Sequence, residues 1–121
     1  MVAAVTLALM LAPTTDQTIE VKKGVRLEVH TFTGDVNIKV WNRDAVRVEA
    51  EHSDRQTIEI RPGEQSLVVR GRSRVGPMSS VDYTITVPTW MAINVNGLGT
   101  DVMLDGVGGD VNVETTRGDI H

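Results

Sequence analysis

The chain has 121 residues, 40% of them hydrophobic and 23% charged, which is enough for one globular domain with its own core and too few for two. A formal net charge of −4, with no basic tail, gives no general attraction to nucleic acid. Phe32, Trp41, Tyr83 and Trp90 are the only aromatic residues, too sparse for a base-stacking platform. The absence of cysteine excludes disulfides, thiolate metal sites, cysteine nucleophiles and an acylated lipoprotein cysteine.

The chain begins with Val2 to Ala12, VAAVTLALMLA, an apolar run broken only by Thr6 and followed by the polar break Pro13-Thr14-Thr15-Asp16. Such a run is too short to span a bilayer, which takes about 20 residues, but it fits the apolar core of a secretory signal. Two details depart from that pattern: no Lys or Arg precedes the run, and a proline follows Ala12. Residues 1–17 are therefore read as a signal-like segment and linker, and 18–121 as a β-repeat domain exported to the periplasm or cell surface.

From Thr18 onward apolar and polar residues alternate, the two-residue period of strands with one dry face. Ile19 to Lys22 reads as a strand, then Val25, Leu27 and Val29 as the next, and Val36, Ile38 and Val40 after the Thr33-Gly34 turn. Asn42-Arg43-Asp44 is a turn cluster, followed by Val46 and Val48; Ile58 and Ile60 lead to the Pro62-Gly63 turn, and Leu67 and Val69 follow it. Val81, Tyr83, Ile85 and Val87 form a further run ended by Pro88, and Ile93 and Val95 lead into a glycine-rich stretch. No i, i+3, i+4 stripe occurs after residue 18. The expectation is an all-β fold without substantial helix, either β-solenoid-like or a two-layer β-sandwich of short strands joined by glycine turns.

The last stretch, Gly97 to His121, repeats. Asp101-Val102, Asp110-Val111 and Asp119-Ile120 recur at intervals of nine residues, and Gly34-Asp35-Val36-Asn37-Ile38 is an earlier copy. In this register Val102, Leu104, Val111, Val113 and Ile120 point inward, and Asn112 and the aspartates outward. A unit this small buries nothing alone, so successive units must stack. The chain stops within a unit at Gly118-Asp119-Ile120-His121, which leads us to expect further repeats in a longer parent, or self-association through an open C-terminal edge.

The phrases Gly34 to Ala50 (GDVNIKVWNRDAVRVEA) and Tyr83 to Pro88 (YTITVP), followed by Gly-Asp-Val/Ile repeats after a signal-like start, together resemble the "toastrack" β-repeat family of bacterial envelope proteins, the adhesin-like domain of unknown function 4097. The resemblance covers about residues 18 to 121. It implies an all-β repeat fold, export or membrane anchoring, and no established catalytic site. Some relatives are implicated in envelope-stress signalling.

Three constellations carry possible chemistry. Asn96 to Asp101 is similar to the calcium-binding nonapeptide of β-rolls, which makes Asp101, Asp110 and Asp119 candidate calcium ligands. That repeat requires a large apolar residue two places after each Asp; Met103 satisfies this and Asn112 does not. Turn aspartates bonding nearby backbone N–H groups explain the same pattern without a metal. Arg70, Arg72 and Arg74 share one strand parity, which suits an anion site for lipid head groups, an envelope polymer or an acidic partner. Charges protecting an edge strand explain it more simply. Catalysis has little support: His30, His52 and His121 are scattered, and Ser79-Ser80 lacks a nucleophile-elbow context. Trp41 and Trp90 flank strand ends, as rim-packing residues do. The chain thus reads as a non-catalytic binding or scaffolding module of the bacterial envelope. It carries no cofactor and no transmembrane span, and its partner is a protein or envelope component. A calcium-binding β-roll is the alternative, and a solenoid hydrolase a distant one.

Overall fold

A computed structural model describes residues 14–52, 56–73, 80–117 and 120. These residues form nine strands and no helix: β1 (Thr14–Glu20), β2 (Arg26–His30), β3 (Thr33–Trp41), β4 (Ala45–Glu51), β5 (Gln56–Pro62), β6 (Ser66–Ser73), β7 (Asp82–Pro88), β8 (Ile93–Leu104) and β9 (Val111–Arg117). No helix among the described residues is long and apolar enough to cross a membrane.

The strands make one continuous, nearly closed, barrel-like sheet, and β8 holds it together. The first part of β8 pairs in parallel with β2 (Leu27 opposite Ile93) and its second part with β3 (Val36 opposite Val102). On its other side β8 pairs with β9 (Ile93 opposite Val111), and Val102 bridges to Ile120. In the opposite direction β2 pairs in parallel with β6, and β3 with β7. Both arms therefore stack as rungs in the order β6 and β7, β2 and β3, β8, then β9. One wall runs β5-β6-β2-β8 and the other β1-β4-β7-β3-β8, with the outer strands β5, β4 and β1 antiparallel to their neighbours.

The inward parity changes where each rung turns its corner. Leu27 and Val29 are buried before the Thr31–Phe32 corner, and Val36 and Ile38 after it; Ile93 and Val95 are buried before the Gly97–Leu98 corner, and Thr100 and Val102 after it. The shift keeps the β-branched side chains of both walls pointing into one dry core, in which Val46, Val48, Leu67, Val69, Tyr83 and Ile85 also meet. Each fully buried Val, Leu or Ile contributes about 1.5–3 kcal/mol relative to an exposed one.

Both sequence alternatives are thus realised at once: stacked parallel rungs, arranged as two walls over a shared core. Three expectations need correction. Thr14 to Gln17, read as linker, form the first half of β1 and pair with Glu51 to Val48. Gly97 and Gly99 do not reverse the chain; they lie within the continuous strand β8, where a Cβ on Gly97 would stand 2.3 Å from Thr100 Oγ1. Val111, expected inside, is 40% exposed, and Asn112 is exposed too, because β9 has a neighbour strand on one side only among the described residues. Val113 does pack against the core.

Tyr83 is the one tyrosine and is 2% exposed, with no hydrogen-bond partner for its hydroxyl. Desolvation raises its pKa well above the ordinary value, because the buried site disfavours the phenolate. Above the unfolded value of about 10 the unfolded chain loses this proton and the native chain keeps it, so stability falls as pH rises. Tyr83→Phe is expected to abolish that alkaline loss and to leave neutral-pH stability unchanged or up to about 1 kcal/mol higher, since it removes an unpaired buried hydroxyl. Chemical denaturation at neutral and alkaline pH checks both.

Candidate functional site

Each wall carries its own cluster of charged side chains on its outer face. On the β5–β6 hairpin, antiparallel pairing sets Glu59 directly opposite Arg70. Arg70 Nε donates to Glu59 Oε1 at 2.8 Å, while Arg61 Nη2 and Arg72 Nη1 stand 3.3 and 3.5 Å from Glu59 Oε2. Three guanidiniums thus converge on one carboxylate. The hydrogen bond from Arg70, followed by the charges of Arg61, Arg70 and Arg72, holds the Glu59 carboxyl below the usual range. Each guanidinium has five N–H donors, so most donors in the cluster stay available, and a surplus of positive charge remains. The neighbouring strand extends the band: His30 is level with Arg70, and Glu28 lies 3.6 Å from His30 and 3.8 Å from Arg26.

The opposite wall is acidic. Glu51 lies across from Asp82, Asp82 Oδ1 accepts the Asp35 backbone N–H at 3.0 Å, and Asp35 lies across from Asp101. Four adjacent strands thus each present an exposed carboxylate in one row, about 4.8 Å apart from strand to strand. Below that row, Arg47 clamps Asp16 through Nε to Oδ1 at 3.1 Å and Nη2 to Oδ2 at 2.9 Å, joining β1 to β4. This pairing lowers the Asp16 pKa.

Of the residues singled out in the sequence, Arg70 and Arg72 come together as expected, and Arg74 lies outside the described residues. Glu59 and Arg61 were missed. Their one signal was a shared outward parity just before the Pro62-Gly63 turn, which folds them back against Arg70. The aspartates do not converge. Asp101 stands in the acidic row beside Asp35, whereas Asp110 precedes β9 on the other wall, where its carbonyl accepts the Ile93 N–H. Asp119 lies outside the described residues. The spacing explains the separation. Rungs in register are eighteen residues apart, as Ile93 to Val111 and Val102 to Ile120, so the nine-residue unit is half a rung and alternate copies fall on opposite walls. Among the described residues no group of three or more His, Asp or Glu is placed to hold a metal.

His52 Nε2 is hydrogen-bonded to Thr15 Oγ1 at 2.9 Å, far along the chain from His30, and His121 is outside the described residues. Both tryptophans brace the Asn42–Asp44 turn: Trp41 Nε1 donates to the Ala45 carbonyl, Trp90 Nε1 to Asp44 Oδ1, and Arg43 stacks 4.7 Å from the Trp41 ring centre. A cavity of about 580 Å³ lies between the end of β1 and the β5–β6 turn, lined by Val21, Val25, Pro62 and Leu67 with Glu20 and Glu64 at its rim.

The class is therefore an all-β, two-walled stack of parallel rungs closed off by antiparallel strands, with its charged chemistry on open faces. A crystal structure of a putative cell adhesion protein from Clostridium sporogenes has a similar fold, with a TM-score of 0.60 at 12% identity over 89% of this chain. The chain spans 59% of that protein's length. No family model matches the sequence, and no curated protein matches it.

Proposed function

We propose that this chain is a non-catalytic, exported binding module of the bacterial envelope, of the toastrack, adhesin-like kind. One observation carries the reading: the clustered chemistry of the described residues, the arginine band and the acidic row, lies on two broad, solvent-facing walls around a dry core. Such surfaces suit recognition of a partner by charge. The fold likeness to a putative cell adhesion protein adds support, and the apolar run at Val2 to Ala12 supports export.

The test has two parts. Expressed in a bacterium with a C-terminal tag, the chain is expected outside the cytoplasm; a wholly cytoplasmic product retaining Met1 overturns export. The purified chain is expected to bind intact bacterial cells saturably, and failure to be retained at micromolar concentration overturns the binding role. Calcium is checked alongside. The melting temperature is expected to be the same with and without Ca²⁺; a rise of several degrees, abolished by Asp101→Ala, would assign a calcium-stabilised repeat instead.

A further inference from the structure

We propose that the wall carrying Arg61, Arg70 and Arg72 docks on an anionic lipid surface, with Phe32 and Leu98 as its apolar contacts. The inference rests on the envelope-binding reading and gives it a partner.

Two independent features of the same region support it. The first is the convergence of three half-exposed guanidiniums on Glu59. Glu59 orients Arg70 through a hydrogen bond and draws Arg61 and Arg72 toward the same spot, and the surplus positive charge of the hairpin faces outward. The second is apolar. Phe32 and Leu98 are 42% and 43% exposed at the corners of adjacent rungs, and the Leu98 backbone N–H donates to the Phe32 carbonyl at 2.9 Å. His30 pairs with Arg70 in the rung register, and Phe32 follows two residues on, at the corner where β2 ends. The guanidinium cluster and a pair of exposed large apolar side chains therefore lie on neighbouring strands, one short step along β2 from each other. That combination suits a headgroup interface: arginines meet phosphates while the apolar pair enters the acyl boundary.

Net charge alone argues against such binding, since the chain is −4 overall. The distribution removes the objection. The carboxylates of Asp35, Glu51, Asp82 and Asp101 lie on the opposite wall, and Asp110 and Glu114 lie at the β9 edge, separated from β6 by β2 and β8, so a negative surface orients the molecule with the β5–β6 hairpin inward. A compact acidic ligand would need only the arginines. The Phe32–Leu98 pair favours a lipid surface over a free phosphate ester.

Co-sedimentation with vesicles tests this using the full chain. Binding is expected to vesicles of equal parts phosphatidylglycerol and phosphatidylcholine, to weaken as salt rises, and to be absent with phosphatidylcholine alone. Each arginine removed is expected to weaken binding about fivefold, so Arg61→Gln/Arg72→Gln loses roughly 25-fold while Arg70 still holds Glu59. Phe32→Ser/Leu98→Ser is expected to weaken binding severalfold with the same salt dependence, and Lys39→Gln on the acidic wall to leave it unchanged. A melting curve accompanies each variant, and the single substitutions Arg61→Gln and Arg72→Gln decide the matter should the double variant unfold. Equal binding to both vesicle types, or binding indifferent to the arginines, overturns the proposal. So does loss of vesicle binding to millimolar inorganic phosphate at matched ionic strength, which would mark a discrete phosphate pocket. Retention on whole cells without vesicle binding sinks this inference and leaves the binding module standing.

Discussion

Gly34→Ala is expected to cost roughly 3 kcal/mol or more of folding stability, lowering the melting temperature of a domain this size by more than about 12 °C. Two physical causes act together there. Gly34 has φ +114°, outside the region that L side chains adopt, and a Cβ would lie 2.2 Å from the Val81 carbonyl oxygen and 2.8 Å from its carbon. The obstructing atoms are backbone, and Val81 is tethered by its own N–H to the Thr33 carbonyl at 3.1 Å, so neither side can yield without breaking the β3–β7 junction. Two other glycines separate the causes. Gly24 has φ +98° with open space around it, so Gly24→Ala costs backbone strain alone, about 1 kcal/mol. At Gly109, where φ is ordinary, a Cβ would meet the Met91 carbonyl oxygen at 2.3 Å, so Gly109→Ala isolates the clash. Urea melts of the three variants should rank Gly34 as the most damaging and Gly24 as the least. A Gly34→Ala protein melting within a degree or two of the parent would show that the rung junction is not built as described.

Leu27→Ala is expected to lose about 2–5 kcal/mol, because Leu27 is fully buried between the walls and the rungs on either side of it are hydrogen-bonded in place, leaving little scope for collapse around the void. Leu98→Ala, at an exposed corner, should stay within about 0.5 kcal/mol of the parent. A sharper comparison uses two valines that the nine-residue repeat treats as equivalent. Val102 is fully buried and Val111 is 40% exposed. Val102→Ala should cost about 2 kcal/mol and Val111→Ala less than 1. Equal losses at the two valines would overturn the assignment of Val111 to an outer rung.

The strand content was legible because burial on one face writes a two-residue period into the chain, and Leu27–Val29, Val36–Ile38 and Val81–Val87 carry it plainly. The stacking of units was legible from Asp101, Asp110 and Asp119 recurring without enough bulk to bury a face. The size of a rung was not, because alternation along a strand is blind to corners. Asp101 and Asp110 look like successive steps of one ladder, and only the bend at Gly97–Leu98 sends them to opposite walls. β1 was partly hidden because Thr14-Thr15-Asp16-Gln17 has almost no apolar content. It pairs through its backbone and through the Asp16–Arg47 clamp, interactions that leave no periodic trace. The arginine cluster was half legible for a related reason. Arg70 and Arg72 share a strand, so their common face follows from parity, whereas Glu59 and Arg61 join them through hairpin register, which depends on how many residues the turn consumes. Phe32 and Leu98 gave no sign of sharing a corner, being sixty-six residues apart in the chain and adjacent only through the β2–β8 register.

The order in which rungs stack differs from the order in which they are made, and this bears on how the protein reaches its native state. The rung of β2 and β3 is synthesised first, yet it lies between β6 and β7 on one side and β8 on the other. It gains neighbours on one side only when β6 and β7 have been made, and on the other only when residues up to Leu104 have been made. Apart from the β5–β6 hairpin the strand pairings here are between segments far apart in the chain, so folding should be slow, on the millisecond-to-second scale of high-contact-order β proteins, and nascent chains ending before β8 should be soft targets for proteases. A chain that stays loose until most of it has emerged is well suited to crossing a membrane before it folds.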